Sequence, residues 1–131
     1  MNTIVNRLRP GQDLKDGLVN LCFEHDIEAG FVLTCVGSLT RATLRLAGAE
    51  HPTVFDEGPF EIVALSGTLS RNGVHLHVAI ADKDGAVRGG HLLPGCAVYT
   101  TAEIVVGKLS EVRFVRKHDP ETGYDELATE L

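Results

Sequence analysis

The chain has 131 residues, of which 44% are hydrophobic and 23% charged, with 12 Lys and Arg against 18 Asp and Glu for a net charge of -6. That length suits one domain around one core, and ordinary usage with no apolar run of bilayer length excludes a membrane-spanning segment of the helical kind. The acidic balance opposes a phosphate backbone at long range, so tight autonomous DNA binding is not expected.

In chain order, MNTIVNRLRP lacks the basic and apolar regions of a secretion signal, which predicts a cytoplasmic location. Thr3 to Leu8 is extended and partly apolar, a first strand closed by Arg9-Pro10-Gly11. A main helix is predicted over about 13 to 26: Asp13 caps it, and Leu14, Leu18, Leu21 and Cys22 fall on one stripe. From Gly30 the period changes. GFVLTCVG, RATLRLAG, PFEIVALSGTLS, VHLHVAIA, AVYTTAEIVVG and EVRFVRK are rich in β-branched residues and separated by Gly, Pro, Asn and Asp. These elements predict an α+β domain over 1–131, a mostly antiparallel meander with the helix packed on one face. FVLTCV and AEIVV read as strands buried on both sides, which one helix cannot cover, so association of identical chains is expected. The segment from about His118 to Leu131 is acidic and reads as a loose tail. Cys22, Cys35 and Cys96 have no CxxC spacing and read as reduced core thiols.

The chemical signal is concentrated in GVHLHVAIADKDGAVRGGHLLPG, residues 73 to 95. Strand residues two apart share a face, so His75 and His77 project together. Lys83-Asp84-Gly85 fits a three-residue hairpin loop with Gly85 left-handed. Pairing Asp82 with Ala86 then makes paired numbers sum to 168 and sets His77 opposite His91; a four-residue loop pairing Ala81 with Ala86 would send His91 to the other face. In the first register three imidazoles reach one ion, zinc by default, with a fourth position left for water or substrate. The same letters also suit a half-exposed strand without a metal. Gly89-Gly90 suits either a bulge or a close backbone approach. Glu61 and Glu103 interrupt apolar strand patterns and are candidates for orienting a ligating imidazole, or are outward residues. Ser38, in an expected turn at Gly37-Ser38-Leu39, is a weak nucleophile candidate. His25, His51 and His118 read as surface residues.

RLRPGQDL, VGSLTRATLR, GPFEIVALSG, VHLHVAIADKDGAVRGGHL and TAEIVVG together resemble the plants-and-prokaryotes-conserved (PPC) domain, prokaryotic branch. The resemblance implies a homotrimer and maps a metal-binding histidine triad onto His75, His77 and His91. Plant members join the domain to an AT-hook and meet transcription factors through a Gly-Arg-Phe-Glu-Ile-Leu segment. Here Leu8 stands where the hook has Gly, and Pro59 where that segment has Arg. The expected function is a trimeric metal-binding module with a regulatory role, DNA-binding by family association only. The alternative is a small zinc metalloenzyme, and possible partners are a protein or a small molecule.

Overall fold

The computed structural model describes residues 1–131 as ten strands and one helix: β1 (Asn2–Leu8), α1 (Leu14–Glu24), β2 (Gly30–Leu39), β3 (Ala42–Arg45), β4 (Thr53–Phe55), β5 (Phe60–Leu69), β6 (His75–Ala81), β7 (Val87–Leu92), β8 (Val98–Lys108), β9 (Arg113–Asp119) and β10 (Tyr124–Glu130). No helix is long and apolar enough to cross a membrane.

Helix α1 begins as the sequence predicts. The Asp13 carboxylate accepts from the backbone N–H of Asp16, and its other oxygen accepts from the N–H groups of Gly95 and Cys96, each at 2.8 Å. One acid therefore caps the helix and fastens it to the loop after β7. The helix stops before the predicted residue 26 because Asp26 turns left-handed, at φ 49, and Ile27 donates back to Cys22. Its stripe of Leu14, Leu18, Leu21 and Cys22 is fully buried. Those side chains meet Leu8, Cys35, Leu65, Leu69, Ile104 and others in one continuous core.

Eight strands form one antiparallel sheet in the order β1-β8-β2-β5-β6-β7-β3-β4. Only β5-β6-β7 is the meander that the sequence predicts. β1 pairs with β8, a hundred residues on, and β8 then pairs with β2, because the two apolar runs need each other's backbone as well as the core. Gly37-Ser38-Leu39 lies inside β2 rather than in a turn; Ser38 is buried and bonded to Thr100 Oγ1 at 3.0 Å, so its hydroxyl is a packing group.

Alternation along the strands buries one sheet face under α1 and leaves the other open. The open face carries Val5 and Val36, exposed at 77% and 58%, with Val105 beside them.

The segment after residue 118 is not a loose tail. β9 and β10 form a hairpin around a turn in which Asp119 accepts from Glu121, Thr122 and Gly123, with Gly123 left-handed. Polar ties anchor it rather than apolar burial, which is why composition misreads it. Phe114 exchanges bonds with Glu28, Ser70 and Asn72, and Glu28 takes Arg71 and Arg113 together. The Arg71 hydrogen bond, helped by Arg113 and opposed by burial, holds the Glu28 carboxyl below its usual range.

Candidate metal centre

The β6–β7 hairpin is built by its loop. The Asp82 carboxylate accepts from the N–H groups of Asp84 and Ala86, Asp82 N–H donates to the Ala86 carbonyl at 3.0 Å, and Gly85 adopts φ 79. This is the three-residue loop, and it sets the register: Ala81 pairs with Val87, Ala79 with Gly89, and His77 with His91. Every pair sums to 168. A Cβ on Gly89 would lie 2.6 Å from the Val78 carbonyl oxygen, and one on Gly90 would lie 2.7 Å from that of Arg45. The glycines serve close backbone approach, with β3 seated against β7 next to the histidine.

His75, His77 and His91 consequently meet on one face. Their ring centroids are 4.9, 5.3 and 5.7 Å apart, and the His75 and His77 Nε2 atoms lie at 3.2 Å. Their ligand atoms all fall within 4.8 Å of one another. Burial, then the Arg45 guanidinium and His75, push the His91 imidazole down to about 4. His75 is lowered by burial first, then by His77 and Arg116. Both rings are therefore neutral and able to donate a lone pair near pH 7. Tetrahedral zinc with Zn–N of about 2.0–2.1 Å places its donors about 3.4 Å apart, close to the His75–His77 spacing, so this donor set fits the ion. The three thiols are buried and free, and burial raises Cys22, Cys35 and Cys96 to about 11, which removes them from metal or nucleophilic chemistry.

The other sequence candidates lie elsewhere. Glu61 pairs with Ala81 and Ser38 near the start of β5, while His77 faces Ser66, five residues further along that strand. At a strand rise of about 3.3 Å the two are about 16 Å apart. Glu103 is on β8, with β2 and β5 between it and β6. Within one chain the structure brings neither acid to the triad. His25, His51 and His118 are exposed and stand outside the cluster, His118 against Asp125 of the C-terminal hairpin.

Residues that the sequence reading did not single out complete the surroundings. A cavity of about 720 Å³ opens beside the triad, walled by β3 with Arg45, by Gly73 and Val74, and by the C-terminal hairpin with Arg116, Tyr124 and Glu126. Arg45 pairs with His91 across β3 and β7, and Arg116 donates to Thr68 Oγ1, on the residue facing His75. No local pattern announces either arginine, because each is delivered by a long-range pairing.

The Plants and Prokaryotes Conserved (PCC) domain family model matches residues 1–110. The bifunctional protein GlmU of Synechococcus sp. (strain JA-3-3Ab) is 54% identical over 124 residues; the match covers 95% of this chain and 20% of that protein's length. A hypothetical protein from Salmonella superposes with a TM-score of 0.95 at 40% identity, over 98% of this chain and 93% of that one. A metal-containing protein from Archaeoglobus fulgidus superposes with a TM-score of 0.84 at 29% identity, over 98% and 94% of the two chains. On the strength of the matched segment and these likenesses, the chain belongs to the Plants and Prokaryotes Conserved domain family, the PPC domain that its motifs resemble.

Proposed function

We infer that this chain is a metal-binding module, homotrimeric and cytoplasmic, that holds a divalent ion, zinc in the first instance, through His75, His77 and His91. The convergence of three imidazoles carries the reading. The structure of a metal-containing relative supports it. Trimer formation is supported by the uncovered valines on the face opposite α1, since exposed apolar patches mark association surfaces. The role that follows is regulatory or partner-binding. With 12 basic against 18 acidic residues, no tight DNA affinity belongs to it. Fluorescence anisotropy with an AT-rich duplex at physiological salt should change little below about 10 µM, where non-specific binders begin to respond; submicromolar binding would contradict this.

The cavity favours a second reading, a small metalloenzyme. Three protein ligands leave a position free, and zinc there supplies a Lewis acid with a bound water of lowered pKa. Of the two carboxylates in the cavity wall, Asp125 is directed at His118, and Glu126 is the one left to move a proton. Elemental analysis combined with native mass tests the main reading: one zinc per chain in a particle near three times 14.1 kDa is expected. A stable monomer removes the trimer, and protein that stays metal-free in excess zinc removes the module.

A further inference from the structure

We propose that the cavity beside the triad is a binding site for a small molecule bearing an oxyanion, held between Arg45, Arg116 and the free position of the ion. This rests on the metal reading above. Its volume, about 720 Å³, lies inside the range of small-molecule sites. It is too large to be explained by a metal-bound water alone.

The charges decide the class of ligand. Arg45 forms no ion pair or side-chain hydrogen bond, and Arg116 has only the neutral Thr68 hydroxyl as partner. Two guanidiniums that elsewhere in this chain seek carboxylates, as Arg71 and Arg113 do with Glu28, here stand free around a common space. A guanidinium recognises carboxylate and phosphoryl oxygens through a planar fork. Against them stand Asp125 and Glu126, with Asp125 directed at His118 at 3.7 Å. With neutral histidines the wall is balanced, two cations to two anions. A divalent ion makes it positive by two.

The hairpin gives the site its own character. Arg116, Tyr124 and Glu126 lie beyond residue 110, where the family match ends, so the triad comes from the family fold and the opposite wall from the C-terminal segment. Tyr124 and Leu46 offer apolar surface to the body of the ligand. Gly73, Gly89 and Gly90 add no side chains to fill the space.

Because the positive excess comes with the ion, oxyanion and metal must bind cooperatively, each tightening the other by the same factor. The test uses the whole chain loaded with zinc or with cobalt as a visible reporter, titrated with succinate in one arm and inorganic phosphate in the other. Saturable binding of either probe is expected, and the preferred arm tells an organic acid from a phosphorylated ligand. Binding to metal-free protein should be at least about tenfold weaker. Arg45→Gln and Arg116→Gln should retain one metal per chain and lose about tenfold or more in anion affinity, the worth of one charge-assisted contact. Arg45→Gln breaks no hydrogen bond, so its result stands even if Arg116→Gln loosens the hairpin. Metal binding with no anion response in either arm, or with wild-type anion affinity in both variants, overturns this proposal alone. A wild type that takes up no metal overturns it together with the metal reading.

Discussion

Replacing His91 by Ala removes the one histidine that β7 contributes to the proposed site, leaving His75 and His77 as a pair on β6. With zinc at 100 times its dissociation constant, binding to the folded state alone adds about 2.7 kcal/mol. An unfolding entropy of about 2.1 cal/mol/K per residue gives about 0.28 kcal/mol/K for a chain of this length, so the wild-type melting temperature should rise by about 10 °C. Loss of a partner that only orients a ligand costs about 10- to 100-fold in affinity, so loss of a ligand itself should reach at least the upper end. The same zinc concentration then sits no higher than the variant's dissociation constant, and the gain shrinks to about 0.4 kcal/mol, or about 1.5 °C. Differential scanning fluorimetry with and without zinc reads both shifts. His25→Ala, His51→Ala and His118→Ala should keep the full shift. A His91→Ala protein that still gains about 10 °C would show that the triad is not the site.

The metal-free chain should lose stability as pH falls from about 6.5 toward 4: the unfolded chain protonates His91 in that window while the folded chain does not, so the unfolded state binds more protons. Denaturant midpoints at pH 7 and 4.5 measure this, and His91→Gln should flatten the difference; an unchanged difference would contradict the assignment. Val36→Lys, at a site 58% exposed in the single chain, should break the proposed trimer without unfolding the chain, so sedimentation should fall toward 14.1 kDa while circular dichroism stays intact. A trimer that persists in Val36→Lys would place the contact elsewhere. Asp13→Ala removes an acceptor from three backbone N–H groups and should cost about 2–4 kcal/mol in chemical unfolding, a cap plus a stranded buried donor at Cys96; a loss under 1 kcal/mol would refute the clamp.

The hairpin that gathers the three histidines was legible in the sequence because everything that sets it is local. The two-residue period aligns His75 and His77, and Gly85 suits a three-residue loop, in whose register the position of His91 follows by counting; the Asp82 bonds that select this loop over a four-residue one appear only in the structure. The helix was legible for the same reason, from Asp13 and one apolar stripe. Strand order was not, because nothing near β1 names β8 as its partner. The acidic C-terminus misled because its hairpin is held by ion pairs and backbone bonds around Glu28, which leave no apolar alternation to read. For Glu61 and Glu103 the sequence left two readings, an acid that orients an imidazole or an outward residue, and within one chain both face the open side of the sheet.

The pairing of the first strand with the eighth also sets a timetable for biosynthesis. Asn2 is made about a hundred residues ahead of its sheet partner Lys108. At about 5–20 residues per second, the first strand leaves the ribosome with its backbone donors and acceptors unmatched for about 5–20 s. The turn between β6 and β7, by contrast, closes within about 10 µs once its second strand is available. The three histidines are therefore brought together while β8, and with it β1, has yet to join the sheet that will frame them.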